Sequence, residues 1–172
     1  MIEHRLIERM ISVMAKEIER IQSTDTVNPK FIDTAVDFIR IYADQCHHGK
    51  EEKILFRDLK KKNLKPDDQR IMNELINEHV HGRDLTGRLV AAKKKYELGD
   101  KAALEEIVNI MNQLVNFYPK HIEKEDKVFF KSAMKYFNQT EKDAMLEEEY
   151  EFDKQFIHVV YKNIVTQAEQ NL

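Results

Sequence analysis

Four stretches of this chain repeat apolar residues at alternating steps of three and four, a pattern that only helices burying one stripe each can use. In the first stretch His4, Ile7, Ile11, Met14, Ile18 and Ile21 recur in this way. The pattern breaks at Ser23-Thr24-Asp25 and resumes near Pro29, a residue suited to a first helical turn. The second stripe reads Phe31, Thr34, Phe38, Ile41, Gln45, His48, Glu52, Leu55 and Leu59, and ends in a lysine run before Pro66. The third begins with Pro66-Asp67-Asp68, places acids in its first turn and reads Met72, Leu75, His79, Gly82, Thr86 and Leu89 up to Gly99-Asp100. The fourth starts near Lys101 and reads Leu104, Ile107, Met111, Leu114, Phe117 or Tyr118, His121, Glu125 and Val128. Pro119 lies inside it and is expected to bend the helix and free one carbonyl. After the break at Asn138-Gln139-Thr140, Thr140 with Asp143 resembles a capping box. A fifth helix is then expected to about Ala168, with Met145, Phe152, Phe156, Val159, Val160 and Ile164 as candidate buried positions.

Only four Gly and three Pro interrupt the 172 residues, and no alternating Val/Ile/Thr run suggests strands. The expected fold is all-α: an up-down-up-down four-helix bundle with an additional C-terminal helix across its outside or end. No linker divides the chain, so 1–172 reads as one domain, a bundle over about 1–137 and an accessory helix over about 140–170. The net charge of −3 gives no field for nucleic acid, and the clusters at Lys60 to Lys62 and Lys93 to Lys95 sit at helix ends, where cations complement the dipole. One cysteine, Cys46, excludes an intrachain disulfide. The start MIEHRLIERM has no apolar core of a signal peptide, and no run of 18 apolar residues exists, so a cytoplasmic protein without a membrane span is expected.

The chemistry lies in the polar residues that interrupt the stripes. His4, His48, Glu52, His79, His121 and Glu125 occupy positions that otherwise hold apolar side chains. Buried imidazoles and carboxylates are costly unless paired or metal-bound. One inward histidine would read as a satisfied core residue, but here all four main helices contribute. His48/Glu52 and His121/Glu125 are each four apart and leave one helix face about one turn apart. Imidazole nitrogen and carboxylate oxygen both suit iron, and a carboxylate can bridge two ions. A bridging oxide or hydroxide would offset the charge that two divalent cations and two glutamates leave. In an antiparallel bundle the four histidines can meet at one level. Spacing alone is weak evidence: chance gives roughly 0.8 His-x-x-x-Glu pairs in such a composition, and four occur, at His4/Glu8, His47/Glu51, His48/Glu52 and His121/Glu125. Stripe position separates them. Glu8 reads as a flanking salt bridge, and His47 with Glu51 reads as lying beside the site or on the surface. A shift of one residue in the second helix would exchange Glu52 for Glu51.

Four segments carry a resemblance. Glu3-His4-Arg5, the run from His47-His48 through Glu51-Glu52 to Leu55-Phe56, Glu78-His79 followed by Gly82-Arg83, and Tyr118-Pro119-Lys120-His121 through Glu125-Asp126 resemble, in order, the hemerythrin-like (HHE cation-binding) family over about residues 1–137. That resemblance implies a non-haem di-iron site with an oxo or hydroxo bridge, His4 and His48 on one iron, His79 and His121 on the other, and Glu52 and Glu125 bridging. Zinc is the expected substitute in a recombinant preparation. Oxygen-carrying members place a fifth histidine one turn from the third-helix ligand. Here Leu75 and Arg83 stand at those positions and His81 points elsewhere, which resembles the four-His branch and disfavours a dedicated oxygen carrier.

The resemblance implies binding of, or response to, O2 or NO in sensing, redox or iron–sulfur repair, with a redox partner protein. The alternative is iron storage or sensing without catalysis. A ferritin-like oxidase would need Glu-x-x-His motifs, which do not match, and a metal-free interaction bundle would leave six buried ionisable groups unexplained. Gly82 and Thr86 could leave a pocket for a diatomic molecule. Tyr42, Tyr118, Cys46 and His158 read as packing or surface residues.

Overall fold

In the computed structural model, which describes residues 2–170 and their side chains through residue 156 and again at Val160, the chain is helical with no strand among the described residues. The expectations placed on His158, Val159 and Ile164 lie outside the described side chains. Helix α1 is Ile2–Thr24, and its buried residues are the six of the first stripe. Asp25, with φ +53°, ends the rod, and Asn28 caps the next with its side chain while Pro29 takes the first helical position.

Helix α2 runs through residues 29–59. It is α-helical at Pro29–Asp37, π-helical at Phe38–His48 and again at Glu51–Leu55, and α-helical at Phe56–Leu59. This wide winding corrects the expected stripe. In i→i+5 turns each residue rotates less about the axis than in an α-helix, so residues four apart stay on one face. Along the π-helical part Ile39, Ala43, His47, Glu51 and Leu55 therefore form the buried row, whereas Gln45 is exposed and Phe38, Ile41 and Glu52 are only half-buried; in the regular turns before it Ile32, Ala35 and Val36 are buried in place of Phe31 and Thr34.

Helix α3, Pro66–Glu97, buries all six residues of its expected stripe, with Leu85 and Ala92 beside them. It ends where Gly99 takes φ +93°, and Asp100 N–H reaches back to the Lys95 carbonyl at 3.1 Å, the closure that a residue without Cβ permits. Helix α4 runs through residues 102–136, with an α-helix at Ala102–Lys124 that continues past Pro119, a π-helical turn at Glu125–Phe129 and a short close. The π turn again moves the buried face by one: Phe129 is buried and Val128 exposed.

Helix α5, Gln139–Gln170, starts at a reciprocal cap two residues before the expected position: Glu141 N–H donates to Asn138 Oδ1 and Asn138 N–H to Glu141 Oε2, both at 2.9 Å. Met145 is buried, and Phe152, Phe156 and Val160 are half-buried. α4 packs along both α3 and α1, α3 packs against α2, and α5 lies on the π-helical parts of α2. Two apolar clusters result. One joins Ile7 to Ile21 of α1, Ile32 to Ala43 of α2, Leu85 to Ala92 of α3 and Ile107 to Ile122 of α4. The other joins Ile54 to Leu59, Met72, Leu75, Phe129 and Met145. On α2, α3 and α4 the interrupting histidines and glutamates fall between the two, in a polar layer inside the protein. Among the described residues no helix is long and apolar enough to cross a membrane.

Candidate metal centre

The layer between the apolar clusters is built from one turn of each rod. α1 supplies His4, α2 supplies His47, His48 and Glu51, α3 supplies His79, and α4 supplies His121 and Glu125, all buried. Five of the six residues expected from sequence are brought together. Glu52 is not. Its carboxylate lies outside the layer, accepting from His79 Nδ1 at 2.8 Å and from Arg83 at 2.7 Å. Glu51 takes the inward place, and His47 enters with it, so five imidazoles converge where four were expected. The cause is the π winding of α2, which puts residues four apart in line from Ala43 to Leu55.

The donor atoms fall into two groups. His48, His79 and His121 form one, and His4, His47, Glu51 and Glu125 the other. Each glutamate reaches both. Glu51 Oε1 lies 3.8 Å from His47 Nε2 and its Oε2 lies 3.3 Å from His79 Nε2. Glu125 Oε2 lies 3.3 Å from His4 Nε2 and its Oε1 lies 3.1 Å from His121 Nε2. These approaches do not have hydrogen-bonding geometry. The Nε2 atoms of His48, His79 and His121 and all four oxygens of Glu51 and Glu125 are buried without a hydrogen-bond partner. Orphaned buried polar atoms are rare in proteins, each costing about 1–3 kcal/mol; seven at one point mark a space shaped for something that accepts lone pairs.

The outward edges of the rings are satisfied in the same way five times. His4 Nδ1 faces Asp126 at 2.9 Å, His47 Nδ1 faces Glu3 at 2.9 Å, and His48 Nδ1 faces Asp44 at 3.4 Å. His79 Nδ1 faces Glu52 and His121 Nδ1 faces Glu78, both at 2.8 Å. A carboxylate on Nδ1 fixes the tautomer that turns the Nε2 lone pair inward, as around metal-bound imidazoles. Every one of these carboxylates meets a cation in turn: Arg5 on Asp126, Lys50 on Glu3, Arg83 on Asp44 and Glu52, and Lys124 on Glu78. Burial pushes the Glu3 and Glu52 carboxyls up, but hydrogen bonds from His47 and Lys50, and from His79 and Arg83, outweigh it and hold both at about 2.

The His4 and His47 Nε2 atoms lie 2.9 Å apart. In neutral rings whose Nδ1 donates outward both are acceptors and cannot bond each other. Two imidazole nitrogens held at about 2.1 Å from one ion at right angles would lie about 3 Å apart, so this spacing fits a shared cation. Without a cation, protons take its place. Burial pulls His79 and His121 down, but the facing carboxylates hold them up to about 11 and about 9. His48, with no inward carboxylate, is pushed by burial down to about 3. The donor set of imidazoles and carboxylates fits a pair of transition-metal ions.

A family model for the hemerythrin HHE cation binding domain matches residues 1–133. The chain belongs to that family. Relatives of this hemerythrin-like chain include an uncharacterized protein of Mycobacterium bovis and two of Mycobacterium tuberculosis, each 26% identical over 128 residues. The alignment covers 74% of this chain and 49% of each relative, so it spans about half the length of the curated relatives it matches. No solved structure matches it.

The weaker sequence candidates are accounted for in part. Gly82 and Thr86 do border a cavity of about 310 Å3, with His48, His79 and Tyr118 in its wall. Tyr118 is buried and Tyr42 stacks on Phe38 with centroids 5.2 Å apart. Cys46 is a buried free thiol whose Sγ donates to Asp153 of α5 at 3.4 Å. His81 is exposed, edge-on to Phe117. Sequence reasoning did not single out Glu3, Asp44, Glu78 and Asp126 as ring partners. Only Asp44 carried a direct signal, lying one turn before its partner His48; Glu3, Glu78 and Asp126 serve rings on other helices, His47, His121 and His4, which sequence spacing does not pair.

Proposed function

We propose that this hemerythrin-like chain is a non-haem di-iron protein that binds or responds to O2 or NO. One ion is held by His4 and His47 and the other by His48, His79 and His121, with Glu51 and Glu125 between them. Glu51 stands in the role that the sequence pattern suggested for Glu52. The single observation that carries this reading is the set of seven buried lone-pair atoms left without partners between two apolar clusters. An ion pair of net positive charge is what such a set accommodates, since hydrophobic or hydrogen-bonding replacements would have removed the orphaned atoms.

The domain arrangement that goes with this is an up-down-up-down bundle over about residues 1–137, with α5 as an accessory helix of the same unit. It is supported by the order in which the rods meet the two clusters: α2 and α4 go from Ile39 and Ile110 towards Leu55 and Phe129, while α3 goes from Met72 towards Leu89.

Bound iron supplies inner-sphere binding of a small molecule together with a change of oxidation state. The chain's own residues do the rest. Five carboxylates hold the imidazoles in the inward tautomer, and the cations outside them keep those carboxylates ionised. Leu75, Phe56 and Phe129 on one side and Ile7 and Ile122 on the other exclude water from the layer.

The test is anaerobic loading of the full chain with Fe(II), removal of excess metal, and absorption spectra before and after addition of NO or O2. New charge-transfer bands on ligand addition at two irons per chain are expected. A loaded protein whose spectrum ignores both gases would overturn the ligand-binding reading in favour of storage.

A further inference from the structure

A second cavity, of about 400 Å3, opens beside the centre under α5. Its inner end is formed by His47 and Glu51, and its body by Leu55, Phe130, Met134, Met145 and Leu146. Both Glu51 oxygens are buried and without hydrogen-bond partners at that inner end. α5 supplies a whole wall, and polar contacts that hold it there include Lys62 with Glu141 at 2.5 Å, Arg57 with Glu148 at 2.6 Å, Lys50 with Asp153 at 2.9 Å, and Cys46 with Asp153 at 3.4 Å.

We propose that this cavity is a binding site for a small, uncharged, largely apolar organic molecule whose inner end lies against His47 and Glu51. The size argues against a diatomic molecule as the only occupant. A cavity of about 150 Å3 already holds benzene, and ligand pockets begin at about 300 Å3. The lining argues for an apolar body, because five hydrophobic side chains form it. The charges argue against an anion. Four carboxylates border the cavity, at Glu3, Glu51, Asp143 and Glu149, against two amines, and Lys50 is already held by Glu3 and Asp153. They do not ask for a cation either. Glu3 is met by Lys50 and His47, and Asp143 accepts from Gln139. Glu149 is half-buried, and burial pushes its carboxyl up towards the neutral form. The Glu149 carboxyl can make a single hydrogen bond to an otherwise apolar guest.

That the guest serves the centre rests on the di-iron reading; the pocket itself does not. The experiment separates the two. N-Phenyl-1-naphthylamine, an uncharged fluorescent probe, is titrated into the full chain with and without metal, and metal is counted on the same samples. Saturable binding at one probe per chain is expected. At least tenfold weakening is expected in Leu146→Trp, which fills the mouth from an exposed position, and in Met134→Trp, which fills the body. Arg40→Trp, which borders the separate cavity lined by Gly82 and Thr86, should leave binding unchanged. The anionic analogue 8-anilinonaphthalene-1-sulfonate should bind at least tenfold more weakly. Circular dichroism of each variant reports on folding, and Leu146→Trp alone decides if Met134→Trp does not fold. Probe binding that does not saturate, is indifferent to Leu146→Trp, or is matched by the sulfonate overturns the proposal. Probe binding without metal uptake upholds the pocket and removes only the di-iron reading.

Discussion

Glu51→Leu should make this protein more stable without metal and less stable with it. Glu51 is 4% exposed and both its oxygens lack hydrogen-bond partners. Two such atoms cost about 2–6 kcal/mol when nothing binds them. Attraction from His79 Nε2 at 3.3 Å and His47 Nε2 at 3.8 Å returns part of that, so the lower end, about 2 kcal/mol, is the gain expected when leucine replaces the carboxylate. For a chain of this length about 2 kcal/mol corresponds to a rise of about 4–8 °C in Tm. With metal the order reverses. At free metal about 1,000 times Kd the parent would gain about 4 kcal/mol, whereas the variant lacks the carboxylate that reaches both donor groups. Thermal unfolding followed by circular dichroism, once in chelator and once in excess divalent metal, reads both states. A variant less stable than the parent in chelator would refute the reasoning, because Glu51 would then stabilise the fold through the histidines alone.

Three further outcomes follow from the same geometry. Glu52→Gln and Glu78→Gln, which touch His79 and His121 from outside, should each weaken metal binding about 10–100-fold, and Glu51→Gln should weaken it more; competition with a chromophoric chelator measures all three, and equal losses at Glu51 and Glu52 would count against the inward assignment. Metal uptake at pH 7 should release protons, because the carboxylates hold His79 at about 11 and His121 at about 9 in the metal-free chain; affinity should therefore rise with pH, and a pH indicator in weak buffer that registers no release would contradict this. Phe56→Ala should cost about 3–5 kcal/mol, since Phe56 is buried, lies near-parallel to the His79 ring at 5.9 Å and packs edge-on against Phe129 at 5.6 Å; a denaturation midpoint close to that of the parent would argue against the packing described.

The sequence was most legible where the helices are regular. All six expected positions of α1 are buried, as are all six of α3, because an α-helix repeats its face at the spacing used to read it. Phe31 and Thr34 miss the buried face inside a regular turn of α2, but from Phe38 onward the face lies one residue from the expected one for a physical reason. Its π-helical turns change the number of residues per turn, and no propensity of Phe38 to His48 announces them. The clue was the row of small and apolar residues at every fourth place, Ala35, Ile39, Ala43, Leu55 and Leu59, into which His47 and Glu51 fit. The same wide turn at Glu125–Phe129 exchanged Val128 for Phe129 without moving Glu125, which lies at its start. At α5 the capping pair lies two residues earlier than expected: Thr140 supplies the usual hydroxyl but Asp143 stands where Glu or Gln is usual, whereas Asn138 with Glu141 makes the bonds. The cavity under α5 could not be read at all, since it depends on how a fifth helix lies against two others.

The central claim is that this polar layer exists to hold two ions. Metal analysis of the full chain after loading and desalting tests it most directly, with His47→Ala and His121→Ala measured beside it. Two ions per chain are expected in the parent and at least one fewer in each variant. A parent that retains none, or variants that retain both, would contradict the account.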